Sequence, residues 1–276
     1  MADWKPPSLP ASDILKTFTY HHSPPIKEPV VLGVDEAGRG PVLGPMVYGI
    51  AYCPISFKTR LAKVGFDDSK VLTAERREEL LQQVCTSPEL QDNVGWATTI
   101  MTAVDISAGM LKPGMPYNLN EQAHDTTMDL IQKVLDAGIE VAEIYVDTVG
   151  PPDKYQRKLS ARFPGPIITV AKKADSKYPI VSCASICAKV TRDFSLQAQV
   201  TNCGSGYPSD PNTVRWLNDN VDKLFGWGPL VRYSWATARD LLDKKGILVD
   251  WPEEAEYGNL NASKGLPKIG LDYFLA

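Results

Sequence analysis

Four acids stand at or just beyond the ends of apolar, β-branched runs, and this placement constrains the fold more than any other feature of the chain. Val30-Val31-Leu32-Gly33-Val34 reads as a strand that runs into Asp35 and Glu36. Val141 to Asp147 reads as a strand, its Ile144-Tyr145-Val146 ending in Asp147, and Asp175 lies a few residues beyond the strand-like run Ile167 to Ala171. Met46 to Cys53 predicts a second strand after the Gly/Pro turn from Gly38 to Pro45, so the first two strands form a hairpin with acids at its mouth. Val94 to Met101 is also strand-like. Helices are predicted over Thr73 to Val84 with Thr73 as N-cap, over Leu119 to Ala137 closed by Gly138, over Pro151 to Arg162, and from Tyr178 to about Val200. Strands alternate with helices, which predicts an α/β fold built on a mixed sheet.

The 276 residues suffice for one large domain with an extension. Residues 1–28 carry Pro6, Pro7, Pro10, Pro24 and Pro25 without sustained periodicity and read as a flexible, mostly extended arm. The main α/β domain is expected over 29–203. Composition then shifts to Trp, Pro and Gly, with short helices near Pro211 to Asn220 and Ser234 to Lys244, so 204–250 is expected to be a loop and helical C-terminal extension. Residues 251–276 form a Pro/Glu/Asn-rich tail, although Ile269-Gly270-Leu271-Asp272-Tyr273-Phe274-Leu275 is too apolar for a free end. No apolar run approaches the ~18 residues of a membrane span, and the N-terminus does not resemble a secretory signal, so a soluble intracellular protein is expected. Cys53, Cys85, Cys183, Cys187 and Cys203 form no C-x-x-C pair and suggest neither a disulfide framework nor a zinc site. Cys183 and Cys187, four apart in a buried helix, are expected to be small core residues.

A net charge of -4 argues against a polyanionic partner, but the charges are unevenly spread. Between Pro151 and Asp193 nine Lys and Arg face three Asp, a net of +6 inside an otherwise acidic chain. Carboxylates at neighbouring strand ends converge in space and repel one another unless a cation compensates them. All-oxygen ligation selects hard ions such as Mg²⁺ or Mn²⁺, and a pair of them is the usual clamp for phosphodiester displacement. Histidine is scarce, with His21 and His22 in the arm and His124 in a helix, so an acid–base pair of histidines has no candidates. No G-x-S-x-G elbow occurs, and Gly38-Arg39-Gly40-Pro41-Val42-Leu43-Gly44 fits neither the dinucleotide nor the P-loop pattern. It is a tight turn with backbone groups suited to gripping a sugar or phosphate beside Asp35 and Glu36.

Several motifs then coincide. Gly33-Val34-Asp35-Glu36-Ala37-Gly38-Arg39-Gly40-Pro41-Val42-Leu43-Gly44-Pro45 is followed by Asp68-Ser69-Lys70, Tyr117-Asn118-Leu119-Asn120 and Val146-Asp147-Thr148-Val149-Gly150. Lys173-Ala174-Asp175, Ala184-Ser185-Ile186-Cys187-Ala188-Lys189-Val190 and Gly204-Ser205-Gly206-Tyr207-Pro208 complete the set. From about Pro29 to Leu242 the chain resembles the catalytic subunit of the eukaryotic type 2 ribonuclease H family.

The resemblance implies a ribonuclease H-like mixed sheet flanked by helices, with a helical C-terminal extension. It implies an endonuclease in which Asp35, Glu36, Asp147 and Asp175 hold two divalent ions, Mg²⁺ or Mn²⁺, and no protein base is required. It implies that Gly38, Arg39 and Gly40 read the 2′-hydroxyl together with Tyr207, and that Lys70, Asn118, Lys189 and Arg192 hold phosphates, with a helix-surface ion pair to Asp193 as the alternative for Arg192. The implied substrates are RNA–DNA hybrids and duplex DNA bearing single ribonucleotides, cut on the 5′ side to leave 3′-hydroxyl and 5′-phosphate ends. The implied roles are removal of misincorporated ribonucleotides and RNA primers in the nucleus. The implied partners are two non-catalytic subunits docking on the C-terminal region, with no membrane; Val231-Arg232-Tyr233-Ser234-Trp235 and Tyr273-Phe274-Leu275 suit such an interface, or else pack in the core. A catalytically idle scaffold and an all-DNA nuclease of the same superfamily are the competing readings.

Overall fold

The computed structural model describes residues 4–11, 14–67, 71–148 and 150–247. Its strands are β1 Phe18–His22, β2 Val30–Ala37, β3 Met46–Pro54, β4 Gly95–Met101, β5 Val141–Asp147 and β6 Ile167–Ala171. Its helices are α1 Lys58–Ala62, α2 Ala74–Thr86, α3 Pro88–Asn93, α4 Ala103–Met110, α5 Leu119–Asp136, α6 Pro152–Arg162, α7 Pro179–Gln197, α8 Pro211–Asp219 and α9 Ala236–Lys245. The strands form one sheet in the order β1-β4-β3-β2-β5-β6. Pairing is antiparallel from β1 to β2 and parallel across β2, β5 and β6, giving the mixed sheet expected.

Strand side chains alternate between faces, and β2 uses both. Val30, Leu32 and Val34 pack with Leu130, Ile131 and Val134 of α5, whereas Val31 packs with Val181, Cys183 and Ala184 of α7. By the same alternation Asp35 faces α7 and Glu36 faces the α5 side. Helix α7 lies almost on the strand backbone, because its sheet-facing residues are small and two strand positions are glycine. A Cβ at Gly33 would stand 2.5 Å from the Ile180 carbonyl oxygen, and one at Gly49 would stand 2.5 Å from that of Ala184. Cys183 and Cys187 are buried here, and all five cysteines are free.

Two differences from the sequence reading are physical. The arm expected over residues 1–28 contributes an edge strand, since β1 pairs with β4 from Phe18↔Ile100 to His22↔Trp96. Upstream of it, Ser8 is buried and hydrogen-bonds Thr191 at 2.7 Å, and Trp4 packs edge-on against Phe194. Helix α4 was not expected; Thr102 caps it by accepting from the Asp105 N–H at 3.1 Å. The C-terminal extension does carry two helices, α8 and α9, and its apolar residues Leu217, Trp227, Val231 and Ala238 pack on Val42 and Leu43 of the glycine turn. The tail expected over 251–276 lies outside the described residues. Among the described residues no helix is long and apolar enough to cross a membrane.

Candidate active site

The parallel pairing of β2 with β5 aligns Val34 with Val146, so Asp35 and Asp147 leave adjacent strands at the same edge. Asp35 is buried, at 6% exposure. Its carboxyl is pushed well above the usual range, first by burial and then by the charges of Glu36 and Asp147, against which a Ser185 hydrogen bond and the Glu36 N–H act only partly. Asp147 accepts the Ala174 N–H at 2.7 Å, which ties the end of β5 to the turn after β6. Lys173 in that turn adopts φ +55°, a left-handed conformation at the residue whose next N–H reaches Asp147. Asp175 is buried at 2% exposure; its carboxylate accepts the Ser176 N–H at 3.0 Å, and its carbonyl accepts the Ser182 hydroxyl.

Asp35, Glu36 and Asp147 therefore gather at one edge of the sheet, Asp35 against α7 and Glu36 in the cleft on the α5 side, with Asp175 one residue past the Ala174 N–H that grips Asp147. Among the described residues no three Asp, Glu, His or Cys side chains converge as a finished coordination shell. The donor set nevertheless suits hard cations: its ligands are carboxylate oxygens, and the Asp35 carboxyl is raised first by burial and then by the charges of Glu36 and Asp147.

Glu36 opens into a cleft of about 650 Å³ between the first turns of α5 and α6, lined also by Arg39, Asn120, His124, Asp147, Lys154 and Lys158. Arg39 donates to the Asn120 side chain, and its guanidinium also reaches the buried Tyr48 phenol, which stands opposite Glu36 in the β2–β3 register. His124 stacks on Tyr155 with ring centroids 3.9 Å apart; burial and then the charge of Lys158 lower its pKa.

The expected phosphate contacts divide. Lys189 is half-buried and pairs with Asp193 at 2.8 Å. Asn118 is the N-cap of α5, its side-chain oxygen accepting from Asn120 and Glu121 N–H groups at 3.0 and 3.1 Å, so only its amide nitrogen remains for a phosphate. Arg192 makes the alternative ion pair with Asp193, at 3.1 Å, but from a buried position rather than a helix surface; it also donates to the Ser205 carbonyl and leaves Nε without a partner. It lies between the two glycine loops, because a Cβ on Gly38 or on Gly206 would approach its guanidinium to 3.2 or 2.9 Å. Lys70 lies outside the described residues. Tyr207 is 42% exposed, and its ring borders Gly40, where a Cβ would stand 3.2 Å from it.

Within the stretch Val231 to Trp235, Val231 and Arg232 are buried, whereas Tyr233, Ser234 and Trp235 are half-buried. Val231 bridges Leu43, and Arg232 is fully buried beneath the glycine turn. Sequence reasoning missed this use of Arg232, as it missed Tyr48 and Asn120. The available signals were an arginine set in an aromatic run and a second asparagine two residues past the helix cap.

Comparisons with known proteins agree with this geometry. The family model described as Ribonuclease HII matches residues 32–238. A ribonuclease H2 subunit from Schizosaccharomyces pombe is 54% identical over 272 residues, 93% of this chain and 83% of that one. The human protein of the same description is 47% identical, covering 90% of this chain and 83% of its own. The crystal structure of ribonuclease H2 from Pyrococcus horikoshii superposes with a TM-score of 0.67 at 34% identity, covering 78% of this chain and 98% of that one. Bst-RNase HIII, solved in complex with Mn²⁺, shares the fold with a TM-score of 0.61 at 21% identity, over 79% of this chain and 70% of its own. With its acids at the edge that such a sheet demands and a family match across most of its length, the chain belongs to the ribonuclease HII family and is a ribonuclease H hydrolase.

Proposed function

We propose that this protein hydrolyses the RNA strand of RNA–DNA hybrids and nicks duplex DNA on the 5′ side of single embedded ribonucleotides, leaving 3′-hydroxyl and 5′-phosphate ends. The observation that carries the chemistry is the placement of the buried Asp35 beside Glu36 and Asp147 at the end of adjacent strands, where burial first and those two charges second raise its carboxyl. Asp35, Glu36, Asp147 and Asp175 would hold two divalent ions, Mg²⁺ or Mn²⁺. Such a pair supplies an activated water and charge stabilisation for in-line displacement at phosphorus. The chain's own residues orient the substrate. The turn at Gly38, Arg39 and Gly40 faces the ribose, Tyr207 closes over the same spot, and Arg39 is braced by Asn120. The 2′-hydroxyl is the group that separates RNA from DNA, so backbone donors and a phenol aimed at it read the sugar rather than the base. Lys189, together with Lys154 and Lys158 in the cleft, supplies positive charge for flanking phosphates.

We propose a wider setting as well, supported as to partners by relatives that are described as one subunit of ribonuclease H2. It comprises two non-catalytic partners, a nuclear location, and removal of ribonucleotides and primers during DNA replication and repair. The test is cleavage of a duplex carrying one ribonucleotide, of a long hybrid and of an all-DNA duplex in Mg²⁺ or Mn²⁺. Asp35→Asn abolishes cleavage and spares binding, and Tyr207→Ala harms the single-ribonucleotide substrate more than the hybrid. Normal cutting by Asp35→Asn, or equal cutting of all-DNA duplex by the wild type, overturns the proposal.

A further inference from the structure

Arg232 sits behind the glycine turn, with its donors spent on main-chain oxygens. Nε donates to the Gly44 carbonyl at 2.9 Å, one terminal nitrogen to that of Arg39 at 3.0 Å, and the other to that of Gly38 at 2.6 Å. The Arg232 N–H donates to the Val42 carbonyl at 2.9 Å. Trp235 completes the set: its indole N–H donates to the Gly40 carbonyl at 2.9 Å, and its ring lies 4.8 Å from the guanidinium carbon. A fully buried cation held by carbonyls rather than by a carboxylate is costly to place.

A peptide group is planar, and its carbonyl and the following N–H point in opposite directions. Drawing the Gly38 and Arg39 oxygens inward therefore turns the N–H groups of Arg39 and Gly40 outward. Neither amide has a hydrogen-bond partner among the described residues. The next peptide ends at Pro41, which has no N–H, so Trp235 captures the only polar handle that it offers.

We propose that Arg232 and Trp235 are positioning residues for sugar discrimination: by holding three successive carbonyls from behind, they aim the Arg39 and Gly40 amides at the ribose 2′-hydroxyl. This inference rests on the reading of the turn given under Proposed function. Neither residue touches substrate. A lysine at position 232 keeps the charge but cannot span three oxygens in fixed geometry, and a phenylalanine at 235 keeps the ring but removes the donor.

The experiment uses the full-length chain carrying Asp35→Asn, so that nothing is cut, and measures by fluorescence anisotropy its affinity for two duplexes that differ in a single 2′-hydroxyl. Adding Trp235→Phe or Arg232→Lys should lower the preference for the ribonucleotide duplex by about three- to tenfold, with affinity for the all-DNA duplex held within about twofold. A merely structural role would weaken both duplexes alike, or change only the melting temperature. If Arg232→Lys does not fold, Trp235→Phe decides alone. A parent that discriminates, paired with a folded Trp235→Phe that discriminates equally, overturns the role given to these residues. A parent with no preference overturns the reading of the turn itself, and this inference with it.

Discussion

Gly33→Ala tests whether the catalytic edge depends on how closely α7 lies to the sheet. The added Cβ would stand 2.5 Å from the Ile180 oxygen, 2.6 Å from its carbonyl carbon and 2.7 Å from the Val181 nitrogen, all helix backbone that no rotamer can move aside. Ordinary contact begins near 3.5 Å, so α7 must retreat by about 1 Å. Overpacking of this kind costs about 1–3 kcal/mol, which for a domain of this size lowers Tm by about 2–12 °C. The same retreat carries Ser185 away from Asp35, and a 1 Å misplacement at a reacting centre costs about a hundredfold in kcat. Calorimetry and hybrid cleavage at saturating substrate measure the two effects. Gly165→Ala is the control: nothing lies within 4 Å of its Cβ, and it should be neutral or stabilise by up to about 1 kcal/mol. A Gly33→Ala protein matching that control in both Tm and kcat would refute the dependence on close packing.

Asp35→Asn should stabilise the metal-free protein at neutral pH. A carboxyl whose folded pKa is raised costs the native state nothing below about pH 4, where both folded and unfolded forms are protonated, and the cost grows as pH rises through the folded value. Melts in chelator should show the gain at neutral pH and lose it in acid, and a gain that grows toward acid would reverse the assigned sign. Asn118→Ala should cost about 1 kcal/mol by uncapping α5, whereas Asn118→Asp keeps the cap; if only the latter retains full stability yet binds duplex more weakly, the side-chain nitrogen is what meets phosphate. At Lys173, φ +55° favours glycine, so Lys173→Gly should melt no lower than wild type and keep its activity, while Lys173→Val should lose about 1–2 kcal/mol together with the Ala174 grip on Asp147. Matching melts for the two Lys173 variants would discount backbone strain there.

Legibility followed burial pattern. β5 and β6 were readable to the residue, because β-branched runs flanked by turn residues leave little choice. β1 was not: Phe18 to His22 is half-buried along its whole length, as an edge strand is, so no alternation marks it among the prolines. The acids were legible because strand ends converge by geometry, and the glycine turn because its residues are so particular. What supports that turn was not. Local rules place arginine on a surface, and only the folded chain reveals that Arg232 has three carbonyls to satisfy about 190 positions away.

That span bears on the order in which the molecule can be finished. The residues of the catalytic edge have all been synthesised by Asp175, yet the loop formed near the beginning acquires its backing only when Arg232 and Trp235 emerge. Contacts between such distant positions form late, because the intervening chain must first lose its freedom. A nascent chain halted before Arg232 would hold every ionisable group needed for cutting and would lack the brace that lets it recognise where to cut.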